Sequence, residues 1–123
     1  MVRKKTNTLT PVELEFMQVI WDRGEATSED MRADLKEQGR DLTGGSVRKV
    51  LSILHDKGYV TRTRDGRAYL YRPAVPREEA NSKMLRDLLK RAFDGSAAHM
   101  VAALLDSRDV DREEIDEIKK MLS

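Results

Sequence analysis

The feature that most constrains the fold of this 123-residue chain is a β-hairpin pattern that directly follows a helical pattern. Bulky and polar residues alternate over residues 59–64 and again over residues 67–72, and Asp65-Gly66 between them is typical of a hairpin turn. Apolar residues recur at i, i+3, i+4 and i+7 from Val47, which predicts a helix that ends before Gly58. Few small folds contain a short helix with a two-stranded hairpin directly after it.

Two further helices are predicted upstream, each opened by a threonine. Thr10 caps the first helix, with Pro11 in the first helical position, and apolar residues continue at helical spacing to Trp21. Thr27 caps the second helix, which ends near Gly39. Because only a short turn separates the second helix from the third, the two together match the helix-turn-helix pattern.

The third helix is predicted to begin at Thr43 or Ser46 and to run to Lys57. The order of three helices and a hairpin predicts a winged helix-turn-helix domain over residues 9–73. The fold is therefore expected to be mainly α with a small β-hairpin wing. Ala26-Thr27 is a candidate third strand at the edge of the hairpin.

The segments on either side of this domain are predicted to be a flexible basic arm, residues 1–8, and a helical dimerisation domain, residues 74–123. The latter contains three segments with apolar stripes but too few residues for a core of their own. We expect them to bury those stripes against a second copy of the chain. The residues assigned to this dimer seam are Met84, Leu85, Leu88, Leu89, Phe93, Val101, Leu104, Leu105, Ile115, Ile118 and Leu122.

Composition and motif content exclude several classes of function. The chain has no cysteine, which excludes disulfides and thiolate metal sites and fits a reducing, cytoplasmic location. No apolar run reaches the length of a transmembrane helix, and the basic start lacks the apolar stretch of a signal peptide. His55 and His99 lie on different predicted elements, and no nucleophile elbow, phosphate loop or dinucleotide glycine pattern occurs. We therefore expect no catalytic residue, no metal, no cofactor and no membrane partner; the chain is not expected to be an enzyme.

The formal net charge of +1 conceals a basic stretch, since residues 43–72 contain seven Lys or Arg and two acidic residues. Such a stretch in a nearly neutral protein is typical of a nucleic-acid binder. The apolar stripe of the third helix leaves an outward-facing set without an acidic member: Gly44, Gly45, Ser46, Arg48, Lys49 and Ser52, with His55 as a further candidate. This face is predicted to enter the major groove of DNA, where Arg48 can pair bidentately with guanine. An ordinary solvated helix face is the alternative interpretation.

The predicted hairpin carries Arg62, Arg64 and Arg67 around its turn, where a wing contacts phosphate or the minor groove. Charged residues also protect an exposed edge strand from pairing with another chain, and the two roles are compatible. Tyr69 and Tyr71 are interpreted as packing residues rather than base-stacking ones.

Together these features predict a homodimer that binds double-stranded DNA and reads a palindrome with sequence specificity. The alternative is a winged-helix protein–protein interaction module whose basic face binds an acidic partner. A ligand-sensing regulator is a weaker alternative, because the C-terminal segments offer no convergent cluster of polar residues.

The opening helix Leu9–Trp21 (LTPVELEFMQVIW) resembles that of the penicillinase repressor family, which includes the methicillin-resistance regulators. The resemblance extends over about residues 8–122. Later segments similar to this family are Val47–Leu54, Lys57–Val60, Phe93–Ser96 and the closing helix 109–122.

The resemblance implies a bacterial homodimeric repressor of β-lactam-response genes that binds palindromes built around TACA and TGTA half-sites. Ser46, Arg48 and Lys49 fall where family members contact the operator. In that family, a membrane sensor protease triggers cleavage within the dimerisation segment, so the resemblance also implies a regulatory protease as a partner. By position, that cleavage falls near Ala102-Ala103.

The chain departs from the family pattern at two places. Gly44-Gly45 stand where a Pro or polar pair is usual, which leaves the operator sequence open. Met100–Leu104 lacks the Asn-Phe typical of the staphylococcal members, which leaves cleavage and the β-lactam connection open. The copper-responsive members of the family bind metal through C-terminal cysteines, which are absent from this chain.

Overall fold

The computed structural model describes residues 8–123, so the predicted basic arm, residues 1–8, lies outside the described residues except for Thr8. The chain divides into two compact units, the first ending at Lys83 and the second spanning Met84–Ser123. The elements in chain order are α1 (Pro11–Arg23), α2 (Ser28–Glu37), α3 (Gly44–Asp56), β1 (Val60–Asp65), β2 (Ala68–Pro73), α4 (Arg77–Phe93), α5 (Ala97–Asp106) and α6 (Arg112–Leu122). This order confirms the predicted fold, which is mainly α with a small β wing.

The first three helices begin at the threonines that the sequence indicates. The Thr10 and Thr27 side chains each accept a hydrogen bond from the backbone N–H three residues on, and an acidic side chain there returns the bond. These capping boxes satisfy N–H groups that have no partner inside the helix. Of the two residues predicted to open α3, Thr43 is the cap, since its hydroxyl accepts from the Ser46 N–H at 3.1 Å.

A single apolar core holds the first unit together. It takes Phe16, Met17 and Ile20 from α1, all fully buried. The other helices and the hairpin contribute Met31, Leu35, Val47, Leu51, Leu54, Val60, Tyr71 and Ala80. Replacing one of the large members with alanine is expected to cost about 2–5 kcal/mol. The relative orientation of the helices and of the hairpin is therefore fixed by this core.

The hairpin turns one residue later than predicted. Arg64 pairs with Tyr69 and Asp65 with Ala68, so the loop consists of Gly66-Arg67 rather than Asp65-Gly66. Gly66 has φ +65°, a conformation that glycine adopts without strain, and it stands at the first loop position. Arg67 therefore lies in the loop and not in β2.

The predicted third strand is reduced to one bridging residue. Ala26 exchanges two backbone hydrogen bonds with Tyr71, of 2.9 and 2.8 Å, and is fully buried. Thr27 does not continue the pairing, because its side chain caps α2. The bridge ties the base of the hairpin to the segment between α1 and α2.

The first unit extends beyond the predicted domain boundary at residue 73. The first turn of α4 packs Ala80 into the core, and the Trp21 indole N–H donates to the Val75 carbonyl at 2.9 Å. Arg77 forms an ion pair with Asp22 at 2.6 Å. The division therefore falls after Lys83, inside α4, since these contacts make the start of that helix part of the first unit.

The second unit has no buried side chain among its residues, all of which are described. Leu85 is 56% exposed, Leu88 50% and Leu122 77%, in the single chain. Such exposure of apolar stripes is characteristic of a surface that another molecule covers. Within the described part of the chain, no helix is long and apolar enough to cross a membrane.

An ion pair inside the first unit joins the start of α1 to the end of α3. The Lys57 ammonium donates to the Glu13 carboxylate at 2.7 Å and to the Thr8 carbonyl at 3.1 Å. Burial by itself raises the pKa of Glu13, but hydrogen bonds from Lys57 and from the Thr10 backbone, with the charge of Lys57, outweigh it and hold the pKa below its usual value. The ionised pair is therefore part of the folded structure.

Replacing Lys57 with Met is expected to lower the free energy of unfolding at neutral pH by about 2–3 kcal/mol, because the Glu13 charge loses its partner. Since the folded pKa of Glu13 is lowered, its stabilising contribution is complete above the unfolded value of 4.5 and is lost as the pH falls through the folded value. The difference between wild type and variant, measured by urea denaturation, should therefore shrink on acidification.

The exposed Lys36 of α2 provides the matched control, since Lys36→Met is expected to change stability by less than about 0.5 kcal/mol. A Lys57→Met deficit of equal size at neutral pH and well below pH 4.5 would contradict the role assigned to the Glu13 charge.

Candidate nucleic-acid interface

The outer face of α3 is set by the residues that the helix buries. Val47, Leu51 and Leu54 are fully buried, so the opposite side faces solvent. Of the residues predicted to face outward, Gly44 and His55 are half-buried, whereas the others are exposed: Gly45, Ser46, Arg48, Lys49 and Ser52. The exposed face of α3 thus carries two cations and two hydroxyl groups, with no acidic residue before Asp56.

The turn that leads into α3 is tied to the helices before it. Arg40 forms a two-pronged ion pair with Glu15 of α1, with the second guanidinium nitrogen 2.7 Å from the carboxylate. This hydrogen bond from Arg40 is the main cause that lowers the pKa of Glu15. Arg32 of α2 donates to the Leu42 carbonyl at 3.1 Å. These contacts fix where the first turn of α3 starts.

The arginines of the hairpin lie against a tyrosine. The guanidinium carbon of Arg62 is 4.6 Å from the centre of the Tyr69 ring, and that of Arg64 is 5.2 Å from it. Both distances are in the range of cation–π attraction. The Tyr69 ring meets Tyr71 edge-on at 6.2 Å, and Tyr71 is buried. The two tyrosine rings therefore connect the core to Arg62 and Arg64.

Sequence reasoning gave Tyr69 no role in the site. Tyr71 packs in the core as interpreted, but Tyr69 is 36% exposed and packs beneath the arginines instead. The signal was present in the hairpin register, since a loop of Gly66-Arg67 sets Tyr69 opposite Arg64 on the same face of the hairpin.

Fewer than seven of the basic residues in the stretch 43–72 remain available to a partner, because two of them form ion pairs within the chain. Lys57 is paired with Glu13, and Arg72 is paired with Glu25 at 3.0 Å. The other five basic residues of the stretch form no ion pair with any residue between 8 and 123: Arg48, Lys49, Arg62, Arg64 and Arg67. They occupy two elements only, α3 and the hairpin.

Among the described residues, neither His55 nor His99 belongs to a group of side chains that could bind a metal ion. Within residues 8–123, no three His, Cys, Asp or Glu side chains are placed to hold a metal ion. His55 lies 3.8 Å from its neighbour Asp56, and His99 is exposed in the first turn of α5.

The predicted dimer-seam residues all lie in the second unit, on α4, α5 and α6. Most are exposed, whereas Met84, Leu89, Phe93, Ile115 and Ile118 are half-buried. The predicted cleavage position, Ala102-Ala103, lies inside α5 with both side chains exposed.

Comparison with known proteins matches residues 9–123 to the family model of the penicillinase repressor. The chain is 23% identical over 119 residues to the methicillin resistance regulatory protein MecI of Staphylococcus aureus, covering 97% of this chain and 96% of that protein. It is 26% identical over 121 residues to the penicillinase repressor of Bacillus licheniformis, covering 97% and 92%.

Among solved structures, the chain is similar to the monomeric form of BlaI from Bacillus licheniformis in complex with the blaP half-operator. The TM-score is 0.51 at 23% identity, and the match covers 63% of this chain and 93% of that one. This similarity agrees with the winged-helix architecture of the first unit. Because the family model spans both units, the chain belongs to the penicillinase repressor family, whose members are DNA-binding transcriptional repressors with a winged-helix domain.

Proposed function

We propose that the chain is a homodimeric transcriptional repressor that binds a palindromic operator in a promoter. The observation that carries this proposal is the exposed face of α3, which bears Arg48 and Lys49 without an acidic residue beside them and lies next in the chain to an arginine-bearing hairpin. The similarity to BlaI, which has been solved with a half-operator, supports it.

In this proposal the two elements have different roles. The first turns of α3 enter the major groove, where the Arg48 guanidinium reads a guanine edge and Ser46, Lys49 and Ser52 contact neighbouring bases or phosphates. The wing arginines, Arg62, Arg64 and Arg67, bind flanking phosphate and carry little sequence information. Repression follows from occupation of the promoter.

In this proposal the second unit forms the dimer interface. A seam of the predicted residues buries side chains that are exposed in the single chain, Leu85 and Leu88 among them. Two reading heads related by two-fold symmetry bind half-sites about one helical turn apart. Their combined contacts give the affinity that one small domain lacks.

Release by proteolysis is the remaining part of the proposal. Cleavage near Ala102-Ala103 would divide the second unit and so weaken the dimer. Because this bond lies inside α5, the helix has to unwind locally before a protease can act on it. The mass of the chain recovered from cells after exposure to a β-lactam tests this step; a chain that remains intact while repression is relieved would contradict it.

Selection of bound sequences from a pool of random duplexes at physiological salt tests the proposed function. The wild-type protein should enrich a short palindrome, and Arg48→Ala should cost about 1–3 kcal/mol on it while relaxing the preference at one base pair of each half-site. Physiological salt matters because any basic patch binds random DNA when salt is low.

A folded, dimeric protein that enriches no sequence would contradict the proposal and favour a protein–protein interaction module. Equal weakening of Arg48→Ala on all sequences would reassign that residue to phosphate contact.

Replacing Tyr69 with Leu is expected to weaken binding about two- to fivefold on all duplexes alike, because the ring that holds Arg62 and Arg64 is removed. Tyr69→Phe keeps the ring and should bind as wild type does. Fluorescence anisotropy with the selected duplex and with a scrambled one measures both effects. A Leu variant that lost affinity for the selected duplex only would show that Tyr69 reads sequence.

Replacing the half-exposed Leu88 with Gln is expected to shift the monomer–dimer equilibrium toward monomer by about 1–3 kcal/mol, because the seam loses apolar area. Lys90→Gln alters an exposed residue of the same helix and should leave the equilibrium unchanged. Sedimentation equilibrium measures it. The seam assignment is wrong if both variants associate as tightly as wild type.

A further inference from the structure

Arg48 lies back over the first turn of α3. A β-carbon built on Gly44 would stand 3.1 Å from one terminal nitrogen of the Arg48 guanidinium and 3.9 Å from its central carbon. Helical side chains lean toward the N-terminus, and positions i and i+4 share a face, which brings Arg48 over Gly44. The guanidinium therefore lies closer to position 44 than it could comfortably lie to a β-carbon there.

The neighbouring glycine does not have this relation to Arg48. A β-carbon on Gly45 would meet only the Thr43 hydroxyl, at 4.0 Å, which is an ordinary van der Waals contact. Neither Gly44 nor Gly45 has a positive φ, so backbone strain does not require glycine at either position. What distinguishes Gly44 from Gly45 is the closeness of the Arg48 guanidinium.

The place of the guanidinium matters for reading DNA. The N-terminal residues of a recognition helix are those that contact base edges, and bidentate pairing with guanine requires both nitrogens in one plane at hydrogen-bond distance. No ion pair with any described residue holds the Arg48 side chain elsewhere. The contact that describes its position is therefore its closeness to Gly44 over the first turn of α3.

We propose that Gly44 is a specificity-determining residue: by leaving room for the Arg48 guanidinium over the first turn of α3, it sets how strongly Arg48 discriminates at the base pair that it reads. This inference rests on the proposed function, since it needs a sequence preference. A methyl group at position 44 would displace the guanidinium by a few tenths of an ångström from where it lies over the first turn, at small cost in stability because the displaced group is the end of a flexible side chain.

The test compares Gly44→Ala with Gly45→Ala, each alone and combined with Arg48→Ala. The quantity measured is the ratio of affinities for the selected duplex and for a duplex changed at the base pair that Arg48→Ala relaxes. This ratio does not depend on the fraction of active protein. A bidentate pair gives wild type a discrimination of about 5- to 150-fold there.

Gly44→Ala should reduce this discrimination at least about threefold, and Gly45→Ala should retain it, because only the first methyl group meets the guanidinium. In the Arg48→Ala background, Gly44→Ala should have no further effect, since the group it displaces is absent.

Three results would overturn the inference: equal discrimination in the two alanine variants, a Gly44→Ala effect at a different base pair, or an undiminished effect in the Arg48→Ala background. A failure of the proposed function is distinguished by the selection experiment, which comes before this test: the wild-type protein would then enrich no sequence.

Discussion

The burial of one side of α3 is the constraint on which the rest of the candidate site depends. Val47, Leu51 and Leu54 are fully buried against α1 and α2, and this fixes the rotation of α3 about its own axis. A helix fixed in this way can expose only the opposite residues. Arg48 and Lys49 therefore face outward, because the apolar residues on either side of them, Val47 and Leu51, are buried.

Electrostatics inside the first unit then decide which basic residues remain for a partner. Lys57 pairs with Glu13 in a largely buried contact, and Arg72 pairs with Glu25 at the surface, so two members of the basic stretch already have a partner within the chain. Arg62 and Arg64 lie against Tyr69, whose ring contacts the buried Tyr71 and so links these two arginines to the core. The hairpin part of the candidate interface is therefore supported by the packing of the core.

Much of this was predictable from the sequence, because helix caps and buried stripes are local signals. Thr10, Thr27 and Thr43 open the helices as expected. The hairpin loop was misplaced by one residue, because Gly66 fits either central position of a two-residue loop. Partners distant in sequence were not predictable, since the Glu13–Lys57 pair and the packing of Ala80 arise only once the helices are assembled.

Amide NMR distinguishes the two proposed roles, in which the exposed face of α3 reads DNA sequence and the hairpin holds phosphate. The protein is titrated with its selected duplex and, separately, with a scrambled one. We expect residues 61–69 to shift with both duplexes and residues 44–52 to shift strongly only with the selected one. Shifts in residues 44–52 that are the same for both duplexes, or that are absent, would contradict these roles.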